Sequence, residues 1–161
     1  MKKQQQVIAF EEYDSILDLN KEDAELLKRA QEVTSKAYAP YSHFHVGACA
    51  RLVNGEYVTG TNQENASFPV GLCAERVLLS GISSFYPDVA IEAIAISYAS
   101  DSAASDHPVA PCGVCRQTLV EYEERMKHPI RLILGGMKGK IIVVETALSL
   151  LPFAFNSSEL K

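Results

Sequence analysis

The sequence predicts an α/β protein, with a mixed sheet of about five strands and helices on both of its faces. Two observations predict this class. Stretches with apolar residues at helical spacing alternate along the chain with stretches in which they recur at every second position. No internal repeat, linker or low-complexity tract divides the 161 residues. We therefore expect a single domain over residues 21–161, preceded by a short N-terminal extension over residues 1–20.

The first helix is predicted over residues 21–38. Asn20 is a suitable N-cap, because an Asn side chain can accept a hydrogen bond from the first turn of a helix. Pro40 stops the helix, since the residue before a proline disfavours the helical conformation. In the extension, a short apolar run at residues 7–10 suggests a strand. The helical spacing is carried by Leu26, Leu27, Ala30, Val33 and Ala37.

A β-hairpin is predicted next. Residues 45–53 have the pattern of a strand, with Val46, Ala48, Ala50 and Leu52 on one face. The "NGE" at 54–56 is a hairpin signal, which returns the chain along residues 57–61. The remaining elements are a helix starting near Cys73, a buried strand over 91–98, a helix from Cys112 to about Arg125, strands over 130–134 and 141–145, and a short helix before an aromatic tail.

The composition limits what the protein binds. A net charge of −5 does not suit a nucleic-acid binder, which would show a basic patch, so a small neutral or weakly charged substrate fits better. The N-terminus has no secretory signal, and no stretch approaches the roughly 20 apolar residues that span a bilayer. We therefore expect a cytoplasmic protein without a membrane partner. Its four cysteines are then metal ligands, catalytic groups or core residues rather than disulfides.

Three of these cysteines stand at predicted helix starts. Cys112 and Cys115 are three residues apart, so their side chains share one face of the first turn if a helix begins there. The unsatisfied N–H groups of a helix N-terminus favour the thiolate, which is the form that binds zinc. Cys73 stands at another such start. Two helix starts facing each other would assemble three thiolates around one metal.

Three protein ligands leave the fourth position of a tetrahedral Zn²⁺ for water, which is typical of catalytic zinc. Zinc lowers the pKa of such water to about 7, which gives hydroxide at neutral pH. Glu75 stands two residues after Cys73 and points elsewhere on a helix, which favours a proton shuttle beside the metal over a ligand. Arg76, and with it Arg116, are candidates for offsetting the negative charge of three thiolates and Zn²⁺.

Three other interpretations of the cysteines compete. Cys112 and Cys115 would be a thiol redox pair in a thioredoxin-like context, but no such strand pattern surrounds them. Cys49 would be a fourth ligand in a closed structural zinc site, although its mid-strand position favours a packed thiol. All four cysteines would otherwise be core residues. Cys-x-Glu followed by Pro-Cys-x-x-Cys is much stronger evidence for the open zinc site than either motif alone.

The same residues match a known signature. His-x-Glu followed by Pro-Cys-x-x-Cys is the zinc deaminase pattern, with cysteine in place of the histidine here. The chain resembles the homotetrameric zinc-dependent cytidine deaminase family over residues 22–160, which implies a cytidine-deaminase-like three-layer α/β/α fold. The segments that carry the resemblance are "YAPYSHFHVGA" (38–48), "TNQENASFPVGLCAER" (61–76), "PCGVCRQTL" (111–119) and "LLPFAF" (150–155).

The resemblance implies hydrolytic deamination of cytidine and deoxycytidine to uridine and deoxyuridine, a step of pyrimidine salvage. A zinc-bound hydroxide would attack C4 of the base, and Glu75 would move protons to N3 and to the departing amine. By the same resemblance, one Zn²⁺ per chain would be held by Cys73, Cys112 and Cys115. Implied substrate contacts are Phe44 against the pyrimidine, Asn62 and Glu64 on the ribose 3'-hydroxyl, the backbone of Ala74 on the base edge, and Phe155 from a neighbouring subunit of a homotetramer with shared active sites.

Alternatives to these roles remain open. In the simplest alternative, Asn62 and Glu64 are solvent-exposed polar residues of a loop without a binding role, and Phe44 is an ordinary core aromatic. Phe68 stands where the family often has tyrosine, so one polar contact near the sugar is expected to be missing. Blasticidin-S deaminase, which acts on a cytosine nucleoside antibiotic, is the nearest rival function, but the Asn62 and Glu64 pair favours ribose. A zinc-stabilised binding module is the non-enzymatic rival, and Glu75 argues against it.

Overall fold

A six-stranded mixed sheet organises the chain in the computed structural model, which describes residues 1–160. Its spatial order is β1-β6-β5-β4-β2-β3, and all neighbours pair antiparallel except β4 and β5, which are parallel. The predicted α/β class is confirmed, with six strands in place of about five. The strands are β1 (Glu11–Tyr13), β2 (Phe44–Leu52), β3 (Tyr57–Thr61), β4 (Ile91–Ser100), β5 (Arg131–Gly135) and β6 (Ile141–Val144).

Three helices cover the two faces of this sheet. Helix α1 (Lys21–Val33) packs on one face, and α2 (Ala74–Phe85) and α3 (Gly113–Met126) pack on the other, which gives the expected three layers. The predicted N-cap is confirmed, because Asn20 Oδ1 accepts the backbone N–H of Asp23 at 2.9 Å. The helix ends earlier than expected, and a 3-10 turn over Thr34–Lys36 follows it. None of the helices within residues 1–160 combines the length and apolar composition needed to cross a membrane.

The alternation of β2 separates two hydrophobic cores. The predicted shared face of Val46, Ala48, Ala50 and Leu52 is confirmed, and this face packs in the core that contains residues of α2 and α3. Cys49 points to the opposite face and packs with α1. Residues of the same strand therefore contribute to both layers of the core.

The N-terminal extension supplies the edge strand β1. The strand expected at residues 7–10 is wrong, because those residues are exposed and irregular. The strand lies instead at Glu11–Tyr13, paired with β6. Arg131 explains the shift, since its Nη2 lies 3.5 Å from Glu11 and 3.1 Å from the buried carboxylate of Asp23. Charge pairing with distant residues, rather than local apolar character, thus selects the paired segment.

The close approach of α2 to β3 positions the start of α2. A Cβ at Gly60 would lie 2.5 Å from the nitrogen of Leu78 and 2.6 Å from the oxygen of Ala74, so a side chain there would push the helix away. Helix α3 is the crossover between the parallel strands β4 and β5 and begins beyond the carboxyl end of β4. Sites of open α/β sheets form at such strand ends.

Candidate active site

Three thiols meet where α2 and α3 begin. Cys73 and Cys112 are the N-cap residues of these helices, and Cys115 lies in the first turn of α3. The Sγ atoms of Cys73 and Cys112 are 3.8 Å apart, and those of Cys112 and Cys115 are 3.5 Å apart. All three Sγ atoms lie within 4.8 Å of one another. Thiolates on one tetrahedral zinc stand about 3.8 Å apart, because each Zn–S bond is about 2.3 Å, so the cluster fits one such ion.

Mutual hydrogen bonds polarise this thiol cluster. The thiol of Cys115 lowers the pKa of Cys73 to about 6, against the opposing effect of burial. The same contact with Cys73, together with burial, raises the pKa of Cys115. The cluster therefore favours one thiolate held by neighbouring thiols at two helix N-termini, whose partial positive charge also favours an anion.

The fourth cysteine is remote from this cluster. Cys49 is fully buried in the core beneath α1, on the other face of the sheet. Burial raises the pKa of its thiol to about 12. The interpretation of Cys49 as a fourth ligand in a closed zinc site is therefore wrong. The interpretation of all four cysteines as core residues is also wrong, because Cys112 is exposed.

Glu75 is a buried carboxyl group beside the thiols. It lies in the first turn of α2, is 5% exposed, and shares a cavity with Cys73 and Cys112. Burial raises the pKa of Glu75, while its own backbone N–H and the thiol of Cys115 act in the opposite direction. A carboxyl group with a raised pKa accepts a proton more readily than an exposed one, and it can pass that proton on.

The cavity in front of Glu75 has a volume of about 520 Å³, which falls in the range of small-molecule sites. Cys73, Cys112 and Glu75 line it. Polar groups that the sequence singles out line it as well, and so do apolar side chains from β2 and β4. The predicted contact residues that line this cavity are Phe44, Asn62, Glu64 and Ala74.

Asn62 is held rigidly against β2. Its Oδ1 accepts the backbone N–H of Val46 at 2.7 Å, and its Nδ2 donates to the backbone oxygen of Phe44 at 2.9 Å. These bonds extend the pairing of β2 and β3 by one residue. Asn62 therefore has a fixed orientation at the cavity, and the loop-solvation interpretation of this residue is wrong.

Glu64 has a comparable anchor in the turn before β2. Its carboxylate accepts the backbone N–H of Tyr41 at 2.9 Å and the hydroxyl of Ser42. The Ser42 hydrogen bond, followed by that from Tyr41, lowers the pKa of Glu64. The cavity thus contains a fixed, ionised acceptor at Glu64 in addition to the carboxyl group of Glu75.

An aromatic pair in the cavity wall was not predicted from the sequence. The rings of Phe44 and Tyr98 are stacked, with centroids 4.8 Å apart and planes 18° from parallel. Tyr98 is 3% exposed and lines the cavity. Burial raises the pKa of its hydroxyl, which accordingly stays protonated. The signal available in the sequence was a single tyrosine on β4, two residues after Ile96 on the same face of the strand.

Arg116 serves different partners from those expected, whereas Arg76 and Phe155 do not contradict their expected roles. Arg116 donates to the backbone oxygens of Pro111 at 2.8 Å and Leu150 at 3.0 Å, instead of serving the sulfurs. Arg76 is half-buried, and after the thiol hydrogen bonds its charge lowers the pKa of Cys73 further. Phe155 is 58% exposed and lies outside the cavity, with its backbone oxygen accepting Gln117 Nε2 at 2.6 Å.

Comparisons with known proteins agree with this geometry. The family model of the cytidine and deoxycytidylate deaminase zinc-binding region matches residues 20–128. The cytidine deaminase of Halalkalibacterium halodurans is 35% identical over 135 residues, which are 84% of this chain and 95% of that protein. The crystal structure of cytidine deaminase from Burkholderia pseudomallei superposes with a TM-score of 0.70 at 36% identity, over 85% of this chain and 100% of that one. Blasticidin-S deaminase of Bacillus cereus is 30% identical over 127 residues, which are 78% of this chain and 86% of that protein.

Proposed function

The chain belongs to the family of cytidine and deoxycytidylate deaminases, and from that premise we propose that it deaminates cytidine and deoxycytidine. Water is consumed, and the products are uridine or deoxyuridine and ammonia. The observation that carries the proposal is the buried carboxyl of Glu75 beside three thiols with the spacing of metal ligands. Glu75, Cys73 and Cys112 line a cavity of about 520 Å³ that opens to solvent.

The thiols of Cys73, Cys112 and Cys115 would hold one Zn²⁺ per chain. When bound there, zinc supplies the Lewis acidity that lowers the pKa of a coordinated water toward about 7. The chain contributes the geometry, because two helix N-termini place partial positive charge next to the anionic sulfurs. We propose that Arg76 offsets part of the remaining negative charge, which its effect on the pKa of Cys73 supports.

Glu75 would serve as both base and acid. Its carboxylate would take a proton from the attacking water and pass it to N3 of the cytosine. It would then take the second water proton, from the hydroxyl formed on C4, and pass it to the departing amine. The burial that raises its pKa supports this role, because it makes the carboxylate a stronger base than an exposed glutamate. Deamination conserves atoms in this scheme, since the water oxygen becomes the carbonyl oxygen at C4 and the amino group leaves as ammonia.

Substrate binding would use two polar residues of the cavity lining, Asn62 and Glu64, for the ribose. After its bonds to β2, Asn62 keeps one N–H, and the carboxylate of Glu64 keeps lone pairs, so the pair can serve a hydroxyl as donor and acceptor. A base without its sugar would leave both groups unsatisfied, which disfavours free cytosine. Phe44 would pack against the pyrimidine ring. Ala74 begins α2, where backbone N–H groups lack partners inside the helix and can hold the base edge.

We also propose a homotetramer in which Phe155 reaches the cavity of a neighbouring subunit. Its exposure, and its position outside the cavity of its own chain, support that role. Residues 21–161 would form the deaminase domain, with residues 1–20 as an extension that pairs with β6. A cytoplasmic location would keep the four free thiols reduced.

The test is turnover together with metal content. Purified protein is incubated with cytidine while ammonia release and the ultraviolet change are followed, and zinc is measured per chain. Turnover with about one zinc per chain is the expected result. Zinc without turnover on cytidine, but with turnover on blasticidin S, would replace the proposed substrate. Zinc without turnover on either nucleoside would indicate a binding module, and folded protein that binds no zinc would overturn the proposal.

A further inference from the structure

We propose that Ser42 orients Glu64 toward the sugar, so that the hydroxyl of Ser42 determines how strongly the enzyme selects nucleosides with a 3'-hydroxyl. This inference rests on the proposed function, because it concerns the residue that would accept the ribose hydroxyl in the same cavity. It follows from the hydrogen bonds of Ser42, from the turn that carries it, and from its place in the cavity lining.

The carboxylate of Glu64 is held at both of its oxygen atoms. The backbone N–H groups of Tyr41 and Ser42 donate to Oε2, at 2.9 and 3.3 Å. The Ser42 hydroxyl donates to the other oxygen, Oε1, and no other side chain within residues 1–160 donates to this carboxylate. Two bonds to one oxygen fix the place of that atom but allow the carboxylate to turn about it. The Ser42 hydroxyl is therefore the contact that fixes the orientation of the carboxylate plane.

The same hydroxyl joins Glu64 to the residue proposed to pack against the base. Ser42 Oγ accepts the backbone N–H of Phe44 at 3.1 Å, which a hydroxyl can do while it donates elsewhere. The backbone oxygen of Phe44 in turn accepts Nδ2 of Asn62 at 2.9 Å. Both polar residues proposed for the ribose are thus tied to the main chain of Phe44, Asn62 directly and Glu64 through Ser42. Hydrogen bonds therefore fix the spacing between the sugar contacts and the base contact.

The turn that carries Ser42 has an unusual backbone conformation. His43 has a φ of 52°, in the left-handed region that residues other than glycine seldom adopt. Its backbone N–H donates to the oxygen of Ala39 at 3.0 Å, and its own oxygen accepts the backbone N–H of Asp101 at 3.2 Å. Such a conformation persists where its surroundings hold it, and it is most common at ligand sites. These contacts present Ser42 to Glu64 at a fixed place.

Ser42 belongs to the binding cavity and not to the core. Its side chain is exposed, and it lines the cavity together with Phe44, Asn62 and Glu64. The hydrogen bond from Ser42 is also the largest cause of the lowered pKa of Glu64. An ionised acceptor forms a stronger hydrogen bond with a hydroxyl than a neutral one does. Ser42 would thus act on the sugar through Glu64, as a positioning residue.

Removal of the Ser42 hydroxyl should weaken recognition of the 3'-hydroxyl without dismantling the site. Ser42→Ala keeps both backbone donors to Oε2, so Glu64 stays in the cavity while its second oxygen is no longer held. The loss of one typical hydrogen bond corresponds to roughly a 10-fold change in an equilibrium constant. The effect should lie mainly in KM, because the sugar is bound in the ground state and the transition state alike.

The experiment measures kcat and KM for three nucleosides in wild type, Ser42→Ala and Ser42→Thr, with the zinc content of each protein determined. Cytidine and deoxycytidine carry the 3'-hydroxyl, whereas 3'-deoxycytidine lacks it. We expect Ser42→Ala to lose about 10-fold in kcat/KM on the first two and to match wild type on the third. Ser42→Thr keeps a hydroxyl at an exposed position with room for its methyl group, so it should retain the wild-type preference.

Two controls separate this role from a general disturbance of the fold. Ser35→Ala removes an exposed hydroxyl that donates to the backbone oxygen of Glu32 at 2.9 Å, outside the cavity lining. It should leave kcat/KM unchanged for all three nucleosides. In a Glu64→Ala background, Ser42→Ala should cause no further loss on cytidine, because the two residues act as a unit.

An equal loss on all three nucleosides in zinc-loaded Ser42→Ala would overturn the inference, and so would an unchanged kcat/KM for cytidine. Both results leave the proposed deamination intact. Should Ser42→Ala fail to fold, Ser42→Gly removes the same hydroxyl and should show the same selective loss. A wild type that turns over cytidine and 3'-deoxycytidine equally well would overturn the ribose role of Glu64 together with this inference, while deamination would stand. A wild type without turnover on cytidine would overturn both proposals.

Discussion

Cys49 and Cys115 are both fully buried, yet their positions on opposite faces of the sheet give them different chemistry. Cys49 lies among the aliphatic side chains between β2 and α1. Cys115 lies in the first turn of α3, with the sulfur of Cys112 3.5 Å away. The degree of burial is the same for both residues, so burial alone does not distinguish a structural thiol from a metal ligand.

Electrostatic surroundings make the difference. Around Cys49 the desolvation of a thiolate dominates, and burial raises its pKa to about 12. At the other face, a hydrogen bond from Cys115 lowers the pKa of Cys73 to about 6. The same contact raises the pKa of Cys115, which thus serves as the hydrogen-bond donor to the Cys73 thiolate. The cluster therefore favours one thiolate among neighbouring thiols, whereas the strand interior keeps Cys49 as a small apolar residue. Substitutions on the two faces should accordingly have very different consequences.

Removal of a thiol from the cluster should have the largest effect. Cys112→Ala leaves two ligands at a site that needs three, so we expect loss of zinc and of measurable turnover. The melting temperature should also fall, because metal binding is coupled to folding. Metal analysis, ammonia release and thermal unfolding check this prediction. Full zinc content in Cys112→Ala would contradict the ligand assignment.

Removal of the buried acid should separate chemistry from metal binding. Glu75→Gln preserves the shape of the side chain but not its ability to move protons. We expect about one zinc per chain, near-normal stability, and turnover lowered by roughly 10²- to 10⁴-fold, the usual contribution of general acid–base catalysis. Zinc content, melting temperature and kcat, measured for wild type and Glu75→Gln side by side, check this prediction. Wild-type kcat in this variant would eliminate the proton-transfer role.

The contrast between the two faces was largely predictable from sequence where it depends on local spacing. Asn20 as a helix cap, Cys73 and Cys112 at helix starts, and the placement of Cys49 on the face opposite Ala48 all follow from short-range periodicity. The spacing of the cysteines along the chain was sufficient to predict their cluster, because the separation of two residues on a helix fixes the relative direction of their side chains.

Features that depend on distant residues were not predictable in the same way. The extension pairs across the sheet, with Glu11 opposite Val143, and no local pattern encodes that partner. Arg116 donates a hydrogen bond to the backbone oxygen of Leu150, 34 residues away in sequence, and not to the sulfurs of the cluster. Tyr98 depends on His107 in a loop whose path is set by a turn further along the chain. In each case the tertiary contact selects among several locally acceptable partners.

The thiol on the opposite face should be dispensable for chemistry. Cys49→Ala removes one buried sulfur from the core beneath α1, and we expect a loss of about 0.5–3 kcal/mol in the free energy of unfolding. Zinc content and the kcat/KM for cytidine should match wild type, because the sheet separates Cys49 from the cavity. This variant is the matched control for Cys112→Ala. Zinc loss in Cys49→Ala would show that the two faces are coupled.

The smallest expected effect is a difference in alkaline stability between wild type and Cys49→Ala. The pKa of Cys49 rises from 9.0 to about 12 on folding, so the folded protein retains a proton that the unfolded chain releases. The resulting stability is complete below pH 9 and is lost as the pH rises toward 12. Between about pH 9 and about pH 10.5, wild type should therefore lose about 1–2 kcal/mol more than Cys49→Ala. Denaturant unfolding at both pH values measures the difference, and parallel losses in the two proteins would show that Cys49 ionises as easily in the fold as outside it.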